Sequence, residues 1–265
     1  MSSPISRFGV AAVLAAAIAG AAPALAVQGT PEGDPLALAR TAFTAYVAGD
    51  IQRALANYRA AADLGHVGAL WKVARIYENG EIGQPRPHEA YKAYAELAKR
   101  HGDISPQARD AVFVANAFVA LGSMLANGVG GAVPANRAAA ASAYFHAASY
   151  FGDTEGQFRL GRMLTVDGAD DPDVFRRGVR WLKLAADERH PGAIAMLGGI
   201  LFDGRHVNQN EVLGLSMLTM ARRLAASDRR TWIDKMQQRA YEAASEDVRR
   251  TATALAKTEL NGSAQ

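Results

Sequence analysis

Apolar side chains recur along this chain at i, i+4, i+7 and i+8, the spacing of one face of a 3.6-residue helix. The clearest instance is Ala54, Tyr58, Ala61 and Ala62, followed by Gly65, a residue that tolerates the left-handed end of a helix. A second run holds Ala69, Val73, Ala74 and Tyr77 on one helical face and closes at Gly80. Together they predict two short antiparallel helices joined by a glycine turn. Alanines let the backbones approach, and the aromatic rings fill the groove beyond them. Neither helix buries its face alone, so the unit needs neighbours.

The pattern returns three times. The second unit carries Ala90, Tyr94, Leu97 and Ala98, then Ala117, Leu121, Gly122, Leu125 and Gly128. The third carries Ala141, Phe145, Ala148 and Gly152, then Gly156, Leu160, Gly161 and Leu164. The fourth carries Gly178, Leu182, Ala185 and Ala186, then Ala193, Leu197, Gly198, Leu201 and Gly204. The mid-turn and closing positions are 15 residues apart in three units: Gly65 to Gly80, Gly152 to Asp167, Arg189 to Gly204. In the second unit the turn His101–Ala111 is longer, and Ser105-Pro106 predicts the start of a helix that projects beyond the stack. One more helix, Leu36–Ala48, precedes the array with Leu36, Ala39, Phe43, Tyr46 and Val47 inward. The fold class is all-α: an α-solenoid of antiparallel helix pairs over residues 36–206.

Beyond Gly204 the pattern loosens. Helices over Glu211–Ala225, around Trp232–Met236 and from Ser245 to Leu260 predict a C-terminal cap over residues 207–260, because a terminal repeat must seal the core against water. Ser227 or Asp228 caps the middle one. Residues 261–265 read as a disordered tail and residues 27–35 as a flexible lead-in. Residues 1–26 read as a signal peptide, with an uncleaved anchor as the alternative: a lone Arg7, the uncharged run Val10–Ala22, and an Ala24-Leu25-Ala26 cleavage site cut between Ala26 and Val27. That implies a periplasmic protein with no transmembrane segment in the mature chain.

Composition narrows the chemistry. The chain has 265 residues and no cysteine, so disulfides, thiol nucleophiles and thiolate metal sites are excluded. Asn127-Gly128-Val129-Gly130-Gly131 resembles a phosphate loop, but no Lys-Ser/Thr follows, and its repeat-closing position reads as a turn. Asp167–Asp173 lacks the ligand spacing of a calcium loop; Asp171-Pro172 reads as a helix start. The six histidines never stand as His-x3-His. No serine stands in a Ser-x2-Lys arrangement, so the reading is no enzyme and no cofactor. Trp71, Trp181 and Trp232 fall within helical patterns and read as core; the alternative is a partly exposed tryptophan lining a concave groove.

Charge is uneven. Residues 27–174 hold 13 basic and 16 acidic side chains, and residues 175–260 hold 15 and 10. A formal net charge of +3 is too small for a nucleic-acid binder. The doublets Arg176-Arg177, Arg222-Arg223, Arg229-Arg230 and Arg249-Arg250 read as solvated helix faces, or as a basic patch toward an acidic protein or anionic lipid. Candidate partner contacts are Arg176, Arg177, Arg222, Arg223, Arg229 and Arg230. His66 and His190 share a place directly after the inter-helix turn, where a helix N-terminus opposes positive charge. A pH response is expected of this pair, with mild acid loosening both repeats.

The runs Ala-x3-Tyr-x2-Ala-Ala and Leu-Gly-x2-Leu/Tyr-x2-Gly, at a period near 36, resemble Sel1-like repeats, relatives of the tetratricopeptide repeat. Over residues 35–258 the chain is similar to the ExoR-type exported negative regulators of exopolysaccharide synthesis. The residues carrying this are Tyr58-Arg59-Ala60-Ala61-Ala62, Gly65-His66-Val67-Gly68 with Trp71, Tyr144-Phe145-His146-Ala147-Ala148-Ser149, Gln157-Phe158-Arg159-Leu160 and Ser245-Glu246-Asp247-Val248-Arg249-Arg250. The resemblance implies a periplasmic protein that binds the sensor domain of a membrane histidine kinase and holds its signalling off. It also implies release by acid-favoured proteolysis. A general Sel1 scaffold for envelope assembly or secretion is the alternative.

Overall fold

A computed structural model describes residues 33–226 and 230–262. Twelve helices follow one another among these residues: α1 (Pro35–Val47), α2 (Ile51–Asp63), α3 (Val67–Asn79), α4 (Pro87–His101), α5 (Ala111–Asn127), α6 (Arg137–Ser149), α7 (Thr154–Asp167), α8 (Pro172–Asp187), α9 (Pro191–Asp203), α10 (Glu211–Leu224), α11 (Arg230–Ala243) and α12 (Glu246–Gly262). The chain is all-α, a solenoid of packed helix pairs. Helices α3, α5, α7, α9 and α11 also touch one another in a row, which the even-numbered helices from α2 to α10 do not match. The stack therefore curves with the odd row inside.

Small residues sit where helices cross. Ala54, Tyr58 and Ala61 of α2 are buried, as are Ala69 and Tyr77 of α3 and Ala90, Tyr94 and Leu97 of α4. In the third unit the register lies one residue earlier than the spacing predicts: Ala140, Tyr144, Ala147 and Ala148 are buried, and Phe145 is 53% exposed. The alanine run Ala138–Ala141 masks the register in the sequence. Tyr144 fixes it, because a Cβ on Gly122 would lie 2.5 Å from its ring, and its hydroxyl meets Ser123 Oγ at 3.1 Å.

Two further expectations are corrected. On α1 the buried residues are Ala42 and Ala45, while Leu36, Phe43 and Val47 are exposed. This helix packs chiefly on α2, with Tyr46 also under Lys72 of α3, and close approach to α2 selects its alanine face. The long turn of the second unit does not project, and α5 starts at Ala111, not at Ser105-Pro106. His146 Nε2 donates to the Gly102 carbonyl (2.8 Å) and the Tyr150 hydroxyl to that of Asp103 (3.0 Å). Phe118, His146, Tyr150 and Phe151 cluster behind it and hold the turn against α6.

The turns explain the unusual residues at them. Arg189 takes φ 61°, the left-handed position that Gly65 and Gly152 take at 92° and 67°. Asp167 remains the last helical residue of α7, pairing with Arg137. At the C-terminus α10 packs on α9, α11 on both, and α12 on α10. Ser245 Oγ accepts from the Val248 amide (3.3 Å), and α12 runs on through Gly262. No helix among the described residues is long and apolar enough to cross a membrane.

Candidate functional site

Inside the curve, between α7, α9 and α11, lies a cavity of about 650 Å³. Its floor is Phe158, fifth residue of α7. Phe158 stacks on His190 (centroids 4.4 Å, 26°) and lies nearly parallel to Trp232 (6.5 Å, 16°). Phe158 is 5% exposed and Trp232 37%. The stack depends on Gly192, where a Cβ would come within 2.8 Å of the Phe158 ring. Arg159 and Arg162 form one wall, three residues apart on one side of α7. The same arginines line a smaller adjoining cavity of about 170 Å³ with Asn127, Arg137 and Tyr144.

Ionic contacts tie this wall to α9. Glu155 accepts from Arg159 Nε (2.5 Å) and from His190 Nε2 (3.0 Å). Burial alone would raise the Glu155 carboxyl, but the His190 hydrogen bond and the Arg159 charge outweigh it and hold it down at about 2. Asp153 caps α7 by accepting from the Gly156 amide (2.7 Å), and burial pushes its carboxyl up. Arg162 is exposed and makes no ion pair among the described residues.

His66 and His190 are the N-caps of α3 and α9. Their Nδ1 atoms accept from the Ala69 (3.1 Å) and Ala193 (3.2 Å) amides. Accepting at Nδ1 leaves the proton on Nε2, the donor that His190 turns toward Glu155. Elsewhere Asp50, Asn136, Asp153, Asp171 and Asn210 fill this role.

Among the described residues, the arginines of the doublets stand on α8, α10, α11 and α12. Arg176 pairs with Asp173 on α8. Arg177 lines a separate outer cavity of about 400 Å³ with Phe145 and Trp181. Arg222 pairs with Asp234 (2.8 Å), and Arg223 and Arg230 are exposed. Arg229, Ser227 and Asp228 lie outside the described residues, as do Ala26 and Val27. Trp71 and Trp181 are half-buried and pack against the core, whereas Trp232 is 37% exposed, so the core reading is corrected at Trp232. Trp71 lies against Phe113 (5.2 Å), Trp181 edge-on to Phe145 (6.0 Å), and Trp232 in the groove. Helix crossings are too tight for indole; they hold buried Gly122, Gly161 and Gly198, with Leu121 and Leu160 buried and Leu197 half-buried. Asn127–Gly131 forms a turn closed by Val129 and Val133, and Asp171 caps α8. The sequence reading overlooked Arg159 and Arg162 because it sought adjacent arginines. The available signal was Arg-x2-Arg beside Phe158 on a helix.

The Sel1 repeat family profile matches residues 44–66, 67–103, 115–150, 154–190 and 191–225. Two curated relatives are each named exopolysaccharide production negative regulator. One, from Rhizobium leguminosarum bv. viciae, is 31% identical over 258 residues, covering 96% of this chain and 94% of the relative. The other, from Rhizobium meliloti, is 32% identical over 229 residues, covering 86% and 83%. Among solved structures, a Sel1 repeat protein from Oxalobacter formigenes superposes with TM-score 0.59 at 19% identity, over 86% of this chain and 89% of that one. A protective antigen of uropathogenic Escherichia coli with the same repeat fold gives TM-score 0.52 at 17% identity, over 87% of this chain and 54% of that one. The chain is a Sel1 repeat protein, a member of the family that includes these exopolysaccharide production negative regulators.

Proposed function

We propose that this protein is a periplasmic negative regulator of exopolysaccharide production, a binding protein and not an enzyme. It is exported by the leader 1–26, cut between Ala26 and Val27. It binds the sensor domain of a membrane histidine kinase and keeps that two-component system off, and acid-favoured proteolysis releases the pathway. The observation that carries the reading is the 31% identity across 96% of the chain to a protein of that name. A curved helical stack also suits protein recognition, since it presents long side-chain surfaces on a rigid frame.

Deleting the gene is the test. Exopolysaccharide rises on deletion and returns to its starting level when the full chain is supplied, but not when residues 27–265 are supplied without the leader. The mature protein retains the kinase sensor domain from detergent-solubilised membranes. Unchanged exopolysaccharide in the deletion strain would favour a general envelope scaffold instead.

A further inference from the structure

We propose that the groove between α7, α9 and α11 takes an extended acidic segment of the partner, with one of its aromatic side chains laid against Trp232. The partner's identity rests on the regulatory reading above; the chemistry of the groove does not.

Charge complementarity selects the acidic segment. Glu155 occupies only the Nε donor of Arg159, whose two Nη groups make no hydrogen bond among the described residues. Arg162, one turn on, has its whole guanidinium unpaired. A guanidinium binds a carboxylate through two parallel N–H donors, and these two sit on one wall at the spacing of a helix turn. Glu155 fixes Arg159 in place and offsets its charge, so the net positive charge of the wall comes from the exposed Arg162. The partly exposed Trp232, backed by Phe158 and His190, is a preformed aromatic surface of the kind that dominates interface energies. An extended segment fits better than a compact ligand because the two cavities run on from each other along α7 through the shared arginines.

The test uses the full mature chain and a capped peptide with one phenylalanine between pairs of glutamates. A lysine-flanked peptide is the control, and isothermal titration calorimetry gives the readout. The acidic peptide binds, more weakly as salt rises, and the lysine peptide does not. Arg162→Glu and Trp232→Ala each weaken binding about tenfold, a change of ~1.4 kcal/mol. Arg162→Lys and Trp232→Phe keep most of it. Unchanged circular dichroism and unfolding midpoint establish that the variants fold. In cells, both disruptive variants lose repression of exopolysaccharide.

Equal binding of the two peptides, binding of neither, or full affinity and repression in both folded variants would overturn the groove and leave the regulatory reading standing. A deletion strain with unchanged exopolysaccharide would sink the regulatory reading, while the peptide measurements would still decide the groove. A wild-type dimer that Trp232→Ala turns into a monomer would assign the groove to a second copy of this chain and overturn the proposal.

Discussion

Gly161 and Gly178 lie against each other's backbone where α7 crosses α8: a Cβ on either would sit 2.9 Å from the carbonyl oxygen of the other. Gly198 and Gly214 repeat the relationship between α9 and α10 at 2.8 and 2.7 Å. The helix pairs touch backbone to backbone, and a methyl group has nowhere to go.

In a free helix, Gly→Ala gains roughly 1 kcal/mol. At Gly161 overpacking costs roughly 1–3 kcal/mol and outweighs that gain. Gly161→Ala and Gly178→Ala should therefore each lower the stability measured by urea unfolding, and Gly161→Leu by more. A stabilised alanine variant would mean that the two helices stand further apart.

The pH dependence divides into two windows. Burial, with the neighbouring Arg100 charge, pushes His101 below its ordinary 6.5, against the pull of Asp110, Asp103 and Glu96. The unfolded chain then takes the proton first. The contribution of His101 is complete above 6.5 and is lost as pH falls through the lower folded value. His101→Gln should flatten the stability profile between about pH 7 and 5.5; an equally steep variant would remove His101 as a cause.

Glu155 works at lower pH. Its carboxyl is depressed, so its stabilisation is present above the ordinary 4.5 and lost as pH falls toward about 2. The raised Asp153 carboxyl has the opposite sign and offsets part of this loss. Glu155→Gln should cost on the order of 2 kcal/mol at neutral pH and lose much less on acidification than wild type. Parallel wild-type and variant profiles would break the assignment.

The histidine caps make a separate prediction. Replacing either by alanine should cost about 1 kcal/mol, the usual value of an N-cap, and asparagine should restore most of it at His66. At His190 asparagine restores the cap but not the Glu155 contact, so recovery should be incomplete. Wild-type stability in either alanine variant would show that the imidazole does not cap its helix.

The helix pairs were legible because Ala54, Tyr58 and Ala61 report one contact at helical spacing, and the contact recurs. Register failed in the third unit because four consecutive alanines look alike, and only the fit of Tyr144 over Gly122 decides between them. The face of α1 was misread because its close packing on α2 selects alanines, a tertiary fact absent from its own pattern. The groove was hidden for another reason. Phe158, His190 and Trp232 lie on three different helices, and it is the curvature of the odd row that brings them within stacking distance.

The bond from Glu155 to His190 spans α7 and α9, two adjacent members of the inner row. Nothing in a solenoid is braced by a shared centre; each repeat leans only on the next. Opening that joint frees the inner edge of the seam while α8, packed on both α7 and α9, still spans its outer side, so the two repeats swing about α8 as a hinge.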